Sequence, residues 1–349
     1  MKKVIIVLGI LLLVISIVIG RYIGKNFYFD KPLIRKTGKA GFVEKQVKLD
    51  DGSALNYAEG PDNGVPLLLI HGQMVAWPIY MKVLPELSKH YHVYAVDCYG
   101  HGKSSKDPGK YSAQSMGEDF IWFIEKVIGN PAIVSGNSSG GLMAAWLAAN
   151  SPENVLGVVL EDPPFFSCEA DRCEKTFAWL DLFKACHNFL EQDSLTDFSL
   201  YYLKNNYWIN FFGEAKEKII KTAETYRTKN PNKRLVIYYL PLSLNNSFYF
   251  MEEYDPRFGD TFYDCSWMEN FDHAETISRI KCPSVLIHAN WQYDSNGVLL
   301  GAMSDEDALK AHSLIKDNVL LKVKSGHSVS FDNPKEFIRI MVDFKKELE

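Results

Sequence analysis

The sequence predicts an α/β fold in which a mainly parallel sheet is covered by helices on both faces. Three observations carry this reading. Short apolar runs alternate with helical stretches from residue 66 onward. A Gly-Asn-Ser-Ser-Gly corner at 136–140 joins one apolar run directly to a helix-forming stretch. A histidine, His327, sits on a loop just past the last apolar run.

In chain order, residues 4–20 come first. They hold no charge and one hydroxyl, Ser16, and as a helix rising 1.5 Å per residue they span about 25 Å. That length crosses a thin bilayer when Lys3 and Arg21 snorkel. Residues 1–25 are therefore read as a transmembrane anchor. A cleaved signal peptide is the alternative, and it implies a secreted body. Val18-Ile19-Gly20 is a poor cleavage site, and the apolar run exceeds a usual signal core. Residues 26–40 read as a basic juxtamembrane linker. The lysine-headed start keeps the N-terminus inside and the body outside the membrane, whereas the basic load between Arg21 and Lys39 argues for the reverse orientation.

Residues 42–49 and 54–58 read as a hairpin around Asp50-Asp51-Gly52. Strands follow at 66–70, 93–96, 132–134, 155–160, 284–287 and 319–323, with helices at 78–89, 113–128 and 141–149. Between residues 165 and 275 the alternation stops. Helical patches with many aromatic residues replace it, and most of these aromatics are expected to form that region's own core.

The net charge of −5 conceals an asymmetry. Residues 1–40 carry eight basic residues and one acid, so the body is at about −12, which argues against nucleic acid as a partner. The six cysteines lack metal-site spacing. Buried free thiols are expected, with a bridge among Cys168, Cys173 and Cys186 as the alternative in an oxidising compartment. No dinucleotide fingerprint and no phosphate loop occur, so no cofactor and no metal are expected.

Ser138 is the candidate nucleophile. Its corner places Oγ at the carboxyl edge of a sheet, with helix amides behind it. Serine is weak at its free pKa and needs a base, for which His327 is the candidate. The order, serine first and histidine last, differs from the chymotrypsin and subtilisin orders. His71 and His101 lie in glycine turns and read as braces, and His273 and His288 as structural residues.

Four motifs in order, His71-Gly72, Asp97 with Tyr99-Gly100-His101-Gly102-Lys103-Ser104, the 136–141 corner and Ser325-Gly326-His327, make the chain resemble the alpha/beta-hydrolase-fold family. The resemblance implies a core of residues 41–164 and 276–349, with residues 165–275 as an inserted helical cap. It implies an oxyanion hole of backbone amides from Gln73 and Ser139, with Met74 as a further donor. It also implies an acid that orients His327. Asp294 stands on the loop where the family usually carries it, and Asp162 stands at a strand tip where some members do; both remain candidates. A serine at the corner disfavours the dehalogenase and epoxide-hydrolase activities of this fold, which use aspartate there. The implied activity is a serine hydrolase of esterase type acting on a small, partly apolar carbonyl substrate. Acyl transfer or carbon-carbon cleavage by the same machinery, and a ligand sensor without turnover, are the competing readings. Nothing in the sequence specifies an oligomeric state.

Overall fold

The computed structural model describes residues 2–170 and 172–349. Two helices, α1 (Lys2–Tyr28) and α2 (Asp30–Lys39), lead into the hairpin β1 (Val43–Lys48) and β2 (Ala54–Glu59). The core continues through β3 (Pro66–Ile70), α3 (Leu84–Leu87), β4 (His92–Val96), α4 (Ala113–Phe123), β5 (Ala132–Asn137), α5 (Ser139–Asn150) and β6 (Val155–Glu161). A helical segment follows with α6 (Lys184–Leu190), α7 (Phe198–Asn205), α8 (Ala215–Lys229), α9 (Leu242–Asn245), α10 (Pro256–Tyr263) and α11 (His273–Ser278). The chain then returns through β7 (Ser284–His288), the small hairpin β8 (Gln292–Tyr293) and β9 (Leu299–Leu300), α12 (Asp305–Leu314), β10 (Asn318–Lys322), α13 (Val329–Asp332) and α14 (Pro334–Leu348).

The eight-stranded sheet runs β1-β2-β4-β3-β5-β6-β7-β10. The β1–β2 and β2–β4 pairs are antiparallel and all others parallel. Because successive strand residues point to opposite faces, β3 sends Leu68 and Ile70 into one apolar cluster and Leu67 and Leu69 into the other. Both faces are buried under helices, so the parallel strands are apolar throughout rather than alternating. The carboxyl ends of β3, β5, β6, β7 and β10 consequently share one edge of the sheet, where a site on such a fold assembles.

The stretch expected as one helix at 78–89 is two. A 3-10 turn (Trp77–Lys82) precedes α3, because Pro85 lacks the N–H that an unbroken helix needs and is tolerated in a first turn. Between Glu161 and β7 the chain is helical, with no named strand among the described residues. Its aromatics pack mostly on each other: Phe262 stacks on Trp267 with centroids 4.7 Å apart, and Trp179 on Tyr263 at 5.1 Å. All six cysteines are free thiols.

Residues 26–40, the basic juxtamembrane stretch, are largely helical. α1 runs on to Tyr28, and α2 packs its buried Thr37 inward. Asn26 is buried and its side-chain amide donates to the carbonyls of Tyr238 and Leu240, both at 2.9 Å. The Arg234 guanidinium donates to the Phe27 carbonyl at 2.6 Å, and Tyr249 donates to Asp30 at 2.9 Å. Asn26, Phe27 and Asp30 thus find polar partners on the helical segment. Residues 4–28 form one helix long and apolar enough to cross a membrane, with none of its most apolar window buried. Asn26→Ala is expected to lower stability by about 1–3 kcal/mol, since the Tyr238 carbonyl loses its donor and the Leu240 carbonyl keeps only Asn245 Nδ2. A thermal melt of the full chain in detergent measures it.

Candidate active site

The corner after β5 is held open by glycine. A Cβ on Gly136 would stand 1.9 Å from the Gly140 carbonyl oxygen, and one on Gly140 would stand 2.2 Å from that of Ile70. No side chain fits either place. Ser138 itself has φ +57°, a conformation that costs a non-glycine residue on the order of 1–3 kcal/mol and clusters at functional sites. Its amide donates to the Glu161 carbonyl at 3.0 Å, which locks the corner to the end of β6. Met74 (φ +59°) and Asp162 (φ +47°), on the neighbouring strand ends, share this strained backbone. Gly72 passes so close that a Cβ there would lie 2.8 Å from Ser138 Cβ.

Asp162, 2% exposed at the tip of β6, accepts from His327 Nδ1 at 2.7 Å through Oδ2 and from the Ala289 amide at 3.0 Å through Oδ1. His288 Nδ1 lies 3.6 Å from the same Oδ1. Burial alone would raise the Asp162 pKa, but the proximity of His288, the hydrogen bond and charge of His327 and the Ala289 amide outweigh it, and the net shift is downward. For His327 burial pulls downward, and the hydrogen bond and charge of Asp162 overcome it, so the imidazole titrates above its ordinary 6.5. The two titrate as a coupled pair. A base working from neutral His327 therefore gains activity as pH rises through an apparent pKa above 6.5. A pH profile of kcat/KM measures this, and a rising limb centred below 6.5 contradicts it.

The structure brings His327 and Asp162 together and leaves Asp294 elsewhere. Asp294 accepts from Tyr207 Oη at 2.7 Å and from the amides of Asn296 and Val298, closing the turn of the β8–β9 hairpin. Ser138 and His327 are linked through the last residue of β5. Asn137 Nδ2 donates to the His327 carbonyl at 3.1 Å, and Asn137 Oδ1 accepts from Ser328 Oγ at 3.2 Å. Neither Ser138 Oγ nor His327 Nε2 has a protein hydrogen-bond partner among the described residues, and His327 is 44% exposed on its side chain. Such contacts are often loose without substrate and tighten when it binds.

The amides of Gln73 and Ser139 make no hydrogen bond among the described residues. Ser139 opens α5, so its N–H is one of the unpaired donors of a helix N-terminus, where developing negative charge is favoured. The Gln73 side chain does not hang free. Its Oε1 accepts from Tyr254 Oη at 3.1 Å, tying the loop after β3 to the helical segment. His71 is a brace, as its glycine turn implied: Nδ1 contacts the Gly72 carbonyl at 2.6 Å and Nε2 accepts from the Cys98 amide at 3.0 Å. Burial pushes its pKa down to about 4, which keeps it neutral. His273 is likewise buried, taking the Phe166 amide at 2.9 Å. No group of three or more His, Cys, Asp or Glu side chains is arranged to hold a metal among the described residues.

Three contributors escaped sequence reasoning. Asn137 joins the corner to the histidine loop, Glu161 supplies the carbonyl that fixes Ser138, and His288 stands beside Asp162 while pairing with Asp305 at 3.0 Å. The one available signal was Glu161 itself, a charged residue closing an otherwise apolar strand.

The alpha/beta hydrolase fold family model matches residues 65–334, and the chain belongs to that family. It is 36% identical over 101 residues to the magnesium-chelatase 30 kDa subunit of Rhodobacter capsulatus, a match covering 28% of this chain and 36% of that subunit. The chain spans only 36–40% of the length of the first curated relatives it matches. Among solved structures, a bacterial membrane phospholipase A superposes with a TM-score of 0.59 at 20% identity, covering 100% of this chain and 99% of that one. The enol-lactonase from Burkholderia xenovorans superposes with a TM-score of 0.60 at 16% identity, covering 86% of this chain and 100% of the lactonase. These likenesses describe the fold.

Proposed function

We propose that the protein is a membrane-tethered serine hydrolase that cleaves an ester, or a related carbonyl compound, of a small and partly apolar molecule through an acyl-enzyme. The observation that carries this reading is the buried Asp162 carboxylate on His327 Nδ1 at 2.7 Å, one strand away from the strained Ser138 corner. In this reading Ser138 Oγ attacks the carbonyl carbon and His327 Nε2 takes the hydroxyl proton. The amides of Gln73 and Ser139 hold the oxyanion, each donor contributing about 2.7–4 kcal/mol to the barrier reduction. His327 passes the proton to the leaving alcohol, then activates a water that releases the acid. Asp162 keeps the imidazole in the required tautomer and stabilises its charged form.

Two further assignments belong to this reading. The helical segment 165–275 acts as a cap that shapes the space over Ser138, and the Tyr254–Gln73 contact supports it. α1 acts as a single-pass anchor with the body outside the membrane, and it favours substrates with an apolar acyl part. The full-length likeness to a membrane phospholipase A supports the same choice. A fluorophosphonate probe tests the reading, because it captures only an activated serine. Labelling of the folded chain that requires Ser138 supports it, and a folded chain that stays unlabelled sinks it in favour of a ligand sensor.

A further inference from the structure

Glu161 stands directly before Asp162 and is completely buried. It touches both halves of the site by different atoms. Its main-chain carbonyl accepts from the Ser138 amide at 3.0 Å and from Asn137 Nδ2 at 3.2 Å. Its carboxylate Oε1 accepts from the Ser330 amide at 2.6 Å, three residues past His327, where α13 begins. A buried carboxylate is costly, and apolar residues of similar volume usually serve packing as well. Yet Oε2 remains without a partner among the described residues, as does the hydroxyl of Ser330. The side chain is therefore not there to complete a saturated polar network. Burial raises its pKa to about 7 against the opposing hydrogen bond of the Ser330 amide and the charge of His327, with Asp162 raising it further.

Resting on the serine-hydrolase reading of this site, we propose that Glu161 is a positioning residue for the reaction, with its carboxylate oxygen clamping the His327 loop to the strand end that carries Ser138 and Asp162. One residue then fixes the nucleophile through its backbone, the acid through the chain, and the base through its side chain. Releasing the Ser330 amide leaves the histidine loop tied by Asn137, while Asp162 keeps hold of the ring. The ring then hangs on a single contact and drifts from the attack geometry, and a displacement near 1 Å costs turnover about 10²-fold. Substrate binding surfaces are untouched.

The test uses the full chain in detergent, a p-nitrophenyl acyl ester for kcat and KM, and the fluorophosphonate probe for active-site integrity. Glu161→Leu preserves packing but removes the acceptor, and is expected to lower kcat 10- to 100-fold with KM within twofold. Glu161→Gln retains an acceptor oxygen without charge and is expected to return kcat to within about threefold of wild type. A merely structural role would lower the melting temperature of both variants without this split. A folded Glu161→Leu protein with wild-type kcat overturns the proposal, and so does Glu161→Gln falling as far as Glu161→Leu. Should Glu161→Leu fail to fold, Asn137→Ala cuts the other tie to the same loop and is expected to show the same kcat-only loss; an unchanged kcat there overturns the proposal. Wild-type protein that neither labels nor turns over sinks the hydrolase reading and this inference with it, whereas a labelled wild type with indifferent variants sinks the inference alone.

Discussion

Ser138→Ala is expected to remove turnover by a factor on the order of 10⁵–10⁶ while leaving the fold intact, and to abolish fluorophosphonate labelling. The size follows from the covalent route: without the hydroxyl there is no acyl-enzyme, and only the amides and substrate binding contribute. The fold is expected to survive because Ser138 Oγ makes no hydrogen bond among the described residues, so its removal leaves no buried partner unsatisfied. The strain at φ +57° stays, since alanine is no more at ease there than serine. Intact-protein mass after probe treatment, with a thermal melt as the folding control, measures both. Undiminished labelling in Ser138→Ala would place the reactive nucleophile elsewhere.

Asp162→Asn is expected to cost about 10⁴ in kcat, and Asp294→Asn to leave kcat within a few-fold of wild type. The asparagine presents an N–H where Oδ2 accepted from His327 Nδ1, so the ring is driven toward the wrong tautomer. The sign of the accompanying pH effect is fixed. Asp162 raises the His327 pKa, so removing its charge leaves burial to pull that pKa down. The rising limb of residual activity therefore moves to lower pH. Asp162 also links stability to pH: its folded pKa lies below the ordinary carboxylate value, so its contribution is complete above about 3.8 and is lost as pH falls through the depressed value. Asp294 does not touch His327, since its oxygens face Tyr207 and the hairpin amides. Steady-state kinetics of both variants decide the matter, and equal losses would break the assignment.

Much of the architecture was legible because it rests on local rules. Apolar runs of strand length punctuated by helices specify a doubly covered parallel sheet, and the strands at 66–70, 155–160 and 319–323 fall within a residue of the observed β3, β6 and β10. The glycines at 136 and 140 marked the corner because no other residue fits where backbone passes backbone. The stretch 78–89 divides because Pro85, which breaks a helix interior, sits in the first turn of a separate short helix. The packing of the basic stretch 26–40 was not legible because its partners, Tyr238, Leu240, Arg234 and Tyr249, lie some two hundred residues away in the sequence.

The sequence by itself determined the order of strands along the chain, the serine corner, the late histidine and the apolar N-terminal helix, since each is written in a contiguous stretch whose period or turn chemistry has one local solution. The tertiary structure alone decided which aspartate meets His327. Both Asp162 and Asp294 follow strand-like runs, and only the lateral pairing of β6 between β5 and β7, with the positive φ at residue 162, turns that carboxylate toward the histidine loop. Adjacency across a sheet is set by long-range pairing, which no short window of residues encodes.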